Sequence, residues 1–133
     1  MKISEVLLES INPSKFRTGM CDAFAIALHK LTNLPLGSWT GFYFDDLEEE
    51  YVPETCHVCC VKSFENLEWI DVDGLHKGQP DNCHFINKIE YMKLLPITVE
   101  EAYNIFSMEG VSQQEIEIAK DYILSDPKFK WVQ

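Results

Sequence analysis

Apolar residues in this chain recur at helical spacing near both ends and alternate in the middle. Ile3, Leu7 and Ile11 share one stripe, which predicts a short amphipathic helix over 3–11, capped by Ser4 and stopped by Asn12-Pro13. After a linking stretch over 14–19, Thr18-Gly19-Met20-Cys21-Asp22-Ala23-Phe24-Ala25-Ile26-Ala27-Leu28-His29 reads as the opening of a buried helix. Gly19 breaks the preceding structure, and the small residues Ala23, Ala25 and Ala27 permit close packing. The helix is expected to run to about Thr32 and to end at Asn33-Leu34-Pro35. The period then changes. Residues 39–44 alternate and predict a first strand. Residues 57–62 and 67–72 predict a second and a third, joined as an antiparallel hairpin through a turn at Glu65-Asn66. Gly74, Gly78 and Pro80 mark a looser segment, and 85–91 predicts a fourth strand. Two helices follow, each with a capping box, Thr98 with Glu101 and Ser112 with Glu115. The second carries Ile116, Ala119 and Ile123 on one face and ends before Pro127. Helices, then strands, then helices predict an α+β fold, with an antiparallel sheet of about four strands against the helix that carries Cys21.

Length and composition narrow the class. The chain has 133 residues, 46% of them hydrophobic and 12% aromatic, which suits one globular domain over 1–133 with a real core. No apolar run is long enough to cross a bilayer. Lys2 and Glu5 stand where a signal peptide would carry its apolar stretch, so a cytoplasmic setting is expected. The formal net charge is −11. That repels nucleic acid and anionic membranes and suits a basic protein partner. Asp45-Asp46-Leu47-Glu48-Glu49-Glu50 reads as a solvated loop or exposed edge. The cysteine count, 5, is odd. Cys59 and Cys60 are adjacent and point to opposite faces of a strand, so reduced thiols are the simpler expectation.

Within this frame Cys21 stands out. The free N–H groups and positive dipole end at a helix start stabilise a thiolate, the form in which cysteine is a nucleophile. His57 opens the second strand, and Asp71 and Asp73 lie near the end of the third. A thiol, a base within hydrogen-bond reach and an acceptor that orients the base form the parts of nucleophilic catalysis. Strand parity decides whether they meet. A three-residue turn over 64–66 pairs His57 with Asp73 and Cys59 with Asp71, and puts both aspartates on the histidine face. A two-residue turn puts them on the opposite face unless a bulge intervenes. Asp71, between Ile70 and Val72, is the more enclosed and the preferred third member. Asp73 is held in reserve, because Asp73-Gly74 also starts a turn. His76 and His84 flank the glycine-containing segment and stand as alternatives to His57. Cys56, His57, Cys59, Cys60, His76, Cys83 and His84 are dense in ligand types. Cys56 and Cys59 face opposite ways on a strand, however, and Cys83-His84 lacks a second pair at a zinc-like interval, so no metal and no cofactor are expected.

Three stretches together, residues 19–25, His57-Val58 and Trp69-Ile70-Asp71-Val72-Asp73-Gly74, resemble the papain-like cysteine enzymes. More narrowly, the chain is similar to the branch with Cys, His and Asp in that chain order and a circularly rearranged sheet, which includes transglutaminase-like proteins, NlpC/P60-type peptidases and arylamine N-acetyltransferases. The resemblance spans roughly Gly19 to Gly74. It implies Cys21 as nucleophile, His57 as general base, Asp71 as orienter with Asp73 behind it, and an oxyanion held partly by the nucleophile's own N–H. Some such families add an upstream Gln. None precedes Cys21 here, and Asn12 is the one amide side chain in that region. The expectation is a small cysteine hydrolase or acyl-transfer enzyme working through a thioester on a protein or peptide, a basic one on grounds of charge, as a phage or bacterial effector would. The alternative is a non-catalytic acidic interaction or inhibitor protein that keeps the fold and docks on a basic, nucleic-acid-binding partner.

Overall fold

The structure, a computed structural model, describes residues 16, 20–80, 89–106 and 110–132. The helix expected over 3–11, the Asn12 amide and the Cys83-His84 pair lie outside them. Helix α1 (Cys21–Thr32) starts and stops where its sequence requires. Asn33 takes the left-handed conformation at φ 65°, which asparagine tolerates, and its N–H closes on the His29 carbonyl at 2.7 Å. His29 adds to this end: its Nδ1 bonds the Leu34 carbonyl at 2.7 Å. Cys21 through Leu28 are all buried, so the alanines serve a helix enclosed on every side rather than on one stripe.

The sheet has five antiparallel strands rather than four. They are β1 (Leu36–Asp45), β2 (Glu50–Ser63), β3 (Glu68–Asp71), β4 (Gly74–Lys77) and β5 (Tyr91–Ile97), in the order β4-β3-β2-β1-β5. Three differences from expectation have local causes. First, β2 begins seven residues before His57. Its polar first half, with Pro53, pairs with β1 only, so proline's missing N–H leaves no ladder bond unmade on the other side. Second, the segment with Gly74 is a strand. Asp71 pairs with Gly74 across a two-residue turn, Val72-Asp73, and the glycine's φ of 106° is what the tight return needs. Third, of the described part of the expected strand over 85–91, only Tyr91 is in a strand. That strand continues to Ile97 through Pro96, and as an edge strand it tolerates the proline. The acidic run turns β1 into β2, as expected, with Asp45 Oδ1 accepting from the Leu47 N–H at 2.9 Å.

Helices α2 (Val99–Asn104) and α3 (Gln113–Ser125) both carry the expected capping boxes, and a 3-10 segment (Pro127–Val132) follows. The main core is a sandwich around α1. Phe24, Ala27 and Leu28 meet Val58, Cys60 and Ile70 of the sheet, and Ile116, Ala119, Ile123 and Phe129 of the C-terminal elements. The opposite sheet face carries a smaller cluster of Trp39, Cys59, Val61, Trp69 and Leu94. Residues 58 and 60 thus face α1 while 59 and 61 face away, the two-residue period of a strand. The β2–β3 register is Cys60↔Ile70 and Val61↔Trp69. It carries the parity of the three-residue turn, but by another route: a four-residue turn over 64–67 plus one extra residue, Lys62, at a bulge.

Gly37 marks the tightest place in the sheet. A Cβ there would lie 2.4 Å from Val61 Cγ2 and 3.2 Å from Leu94 Cδ1. Val61 is fully buried and stiff at χ1, so it has nowhere to retreat. Gly37→Ala is expected to cost about 1–3 kcal/mol. The cost should shrink by more than half in a Val61→Ala background, measured by urea unfolding as a double-mutant cycle. Additive losses would show that the clash is not with Val61.

Candidate active site

Two side chains of the expected triad sit at the ends of elements, and the third sits at a bulge within a strand. Cys21 is the first residue of α1, and Met20 before it makes no side-chain cap. Asp71 is the last residue of β3. His57 lies in β2 opposite Trp39, where the β1–β2 register shifts: Trp39 pairs with His57, Thr40 with Thr55, and Cys56 is the extra residue. A bulge re-aims the side chains beside it. All three residues are buried, at 4% exposure for Cys21, 9% for His57 and 8% for Asp71.

The structure brings these three together. His57 Nε2 donates to Asp71 Oδ2 at 3.1 Å, and the His57 ring is also hydrogen-bonded with the Cys21 thiol. A carboxylate only accepts, so Nε2 carries the proton towards Asp71 and Nδ1 is the ring nitrogen left for another partner. Burial alone would lower the pKa of the imidazole. The hydrogen bonds to Asp71 and Cys21, and the negative charge of both groups, outweigh it and push His57 up to about 9. Burial likewise pushes the Asp71 carboxyl up, but its donors win and hold it below the ordinary 3.8. Those donors are three. Besides His57, the Asp73 N–H reaches Oδ1 at 2.9 Å and His76 Nε2 reaches Oδ1 at 2.7 Å. Asp73 itself lies exposed in the Val72-Asp73 turn and gives its backbone N–H to the carboxylate.

Two side chains at this site were not assigned from the sequence. His76 reads there as a substitute for His57, but it is a second imidazole on the same carboxylate. Its place two residues past Gly74 becomes meaningful once 74–77 is a strand, because Trp69↔His76 and Asp71↔Gly74 then follow. His76 stacks on Trp69 with ring centroids 4.2 Å apart and 18° between planes, and His57 meets the same indole edge-on at 5.5 Å. Trp69 Nε1 is tied to the Gly78 carbonyl at 2.7 Å. The second is Asp22, a buried acid in the first turn of α1 whose Oδ1 accepts from the Ala23 N–H at 2.9 Å. Burial raises its pKa. The signal for it was an acidic residue in the first turn of a helix.

The other cysteines separate from Cys21. Burial pushes the Cys59 and Cys60 thiols well up and keeps them protonated. Cys60 spends its S–H on the Ala25 carbonyl at 3.2 Å. Cys56 is disulfide-bonded, which corrects the expectation that all thiols are reduced. Asp71, Asp73 and His76 place one ligand atom each within 4.8 Å of one another. Two of these atoms, His76 Nε2 and Asp71 Oδ1, are hydrogen-bonded to each other. A cavity of about 510 Å³ lies beyond the turn, lined by Leu34, Lys62, Ile70, Leu75 and Trp131 among others. It touches Asp73 and Gly74 but neither Cys21 nor His57. No helix among the described residues is long and apolar enough to cross a membrane. No family model, curated protein or solved structure matches the chain.

The two shifts set opposite pH limits. His57 binds its proton more tightly folded than unfolded, so its contribution to stability is complete below about pH 6.5 and is lost as the pH climbs toward about 9. Asp71 is the reverse: its contribution is present above 3.8 and is lost as the pH falls through its lowered folded value. Urea unfolding from pH 6 to 10 is expected to show wild type losing stability across the alkaline window, with most of that slope missing in Asp71→Asn. An equal slope in both proteins would show that the carboxylate does not hold the imidazolium.

Proposed function

We propose that this protein is a papain-like cysteine hydrolase or acyl-transfer enzyme. The observation that supports this is the unbroken chain from the Cys21 sulfur through the His57 ring to Asp71. With His57 raised to about 9, the ring beside the Cys21 sulfur is an imidazolium at neutral pH, the partner that favours the nucleophilic thiolate form. The thiolate attacks an amide or ester carbonyl, and a bond forms between Sγ and the carbonyl carbon. The imidazolium gives its Nδ1 proton to the departing amine or alcohol, leaving a thioester on Cys21 and a neutral His57. Water or an amine then attacks the thioester, His57 takes its proton, and the sulfur leaves as thiolate. Asp71 holds the Nε2–H throughout and does not itself accept the proton. The Cys21 N–H, at a helix start that Met20 does not cap, is the donor this reading assigns to the oxyanion. The net charge of −11 favours a basic protein or peptide as substrate. The cytoplasmic setting expected on sequence grounds loses one support with the disulfide at Cys56.

A second reading, a non-catalytic acidic binding protein with the same fold, is favoured by one observation: Cys21 is 4% exposed, and the large cavity does not reach it. Alkylation with iodoacetamide, with the modified cysteine located by peptide mass spectrometry, separates the two. The enzyme reading expects Cys21 to react at pH 7 at least roughly tenfold faster than N-acetylcysteine, and to lose that advantage in His57→Ala. Cys21 reacting no faster than the free thiol, or indifferently to His57, would leave the binding protein.

A further inference from the structure

We infer that His76 is a positioning residue, fixing the Asp71 carboxylate, and through it the His57 ring, by the 2.7 Å bond from Nε2 to Oδ1. The inference rests on the catalytic reading of Cys21 and His57 and adds a fourth member to it.

The geometry carries the argument. A carboxylate turns readily about its terminal torsion, so one bond to His57 would leave its plane unset. Here Oδ2 takes His57, while Oδ1 takes both the Asp73 N–H and His76. The bond to His76 is the shortest of the three. The His76 ring is itself fixed: β4 pairs its residue with Trp69, and the indole lies flat against the imidazole at 4.2 Å. Trp69 is in turn anchored at Gly78 and touches the His57 ring edge-on. One tryptophan therefore sets the planes of both histidines, and one carboxylate joins their nitrogens. The polar groups around this centre are Cys21 from α1, Cys59 from β2, Asp73 from the turn and His76 from β4. Among these described groups His76 supplies the side-chain N–H that meets Oδ1. A residue present only to pack against Trp69 would need a flat ring, not a nitrogen aimed at the buried acid.

The test separates ring from nitrogen. His76→Phe keeps a ring to stack on Trp69 and removes the donor. His76→Gln keeps an N–H donor and removes the ring. Two readouts apply to each variant and to wild type: hydrogen exchange of the His57 Nε2 proton by nitrogen-15 NMR, and the pH profile of Cys21 alkylation by iodoacetamide. In His76→Phe the proton is expected to exchange roughly tenfold faster, the weight of one charge-assisted hydrogen bond. The acid limb of alkylation should move up by roughly half a pH unit to one unit, because a loosely held carboxylate stabilises the imidazolium less well. His76→Gln should restore most of both. The inference is overturned if His76→Phe matches wild type in both readouts, or if His76→Gln is as impaired as His76→Phe. A thermal melt confirms that each variant is folded. Failure of the catalytic reading looks different: wild-type Cys21 would then alkylate at the same rate with and without His57, whatever His76 does to the Nε2 proton.

Discussion

A carboxylate taken out of water either finds donors or takes up a proton. Asp71 is 8% exposed and stays ionised, so the chain around it has to deliver hydrogen-bond donors to both oxygens. That requirement accounts for the form of the β3–β4 hairpin. β3 stops at the acid, so the residue two further on turns its N–H back to Oδ1. Gly74 permits the two-residue return, and β4 then carries His76 to the same oxygen. Strands of four residues are marginal by themselves. These are held by Trp69, which is buried against Trp39 and bonded to Gly78. The hairpin and its acid support each other: the turn satisfies the charge, and the satisfied charge fixes the turn.

The other half of the site depends on how α1 is held. Its first residue carries the sulfur, and the helix is buried from Cys21 to Leu28, between Val58, Cys60 and Ile70 on one side and α3 on the other. Alanines at 23, 25 and 27 let the backbone approach closely enough for Cys60 to reach the Ala25 carbonyl. The position of Sγ is therefore set by core packing, and that of the imidazole by the sheet. A helix wedged this way transmits small changes in the core to the distance between sulfur and ring, because close-packed interiors do not absorb volume changes freely.

Much of this was legible before any coordinates. Both ends of α1 followed from Gly19 and Asn33, the two capping boxes from Thr98 and Ser112, and the order Cys21, His57, Asp71 from the chain itself. The parity that puts histidine and aspartate on one face was also readable, though the device behind it was not. A bulge at Lys62 with a four-residue turn gives the same register as a plain three-residue turn, and no local pattern in Ser63-Phe64-Glu65-Asn66-Leu67 separates the two. β4 was hidden because Gly74 and Gly78 flank only four residues and read as loop. β5 was shifted because Pro96 argues against a strand unless the strand is known to lie at an edge. Edge position is a property of the whole sheet, so Pro53 and Pro96 become intelligible only in the assembled order β4-β3-β2-β1-β5. His76 followed β4 into obscurity, since its role exists only once Trp69 is opposite it.

Where a buried core departs from apolar packing, the departures indicate what the core is for. Here they coincide. Cys21, His57 and Asp71 are buried, with His57 beside both of the others, and His76 and Asp22 lie within one residue or one hydrogen bond of them. Replacing a buried polar network with apolar groups of similar volume is often neutral or stabilising, so stability alone gives no reason to keep one. Cys59 and Cys60 show what this core does with a cysteine of no chemical use. It buries the thiol, leaves it protonated, and lends it a backbone carbonyl. Cys21 is treated differently within the same few ångströms of core, next to an imidazole held charged by an ionised acid. The contrast between three free thiols among the described residues, two held protonated by burial and one beside the His57 ring, is the physical support for the proposal that the sulfur at the start of α1 reacts.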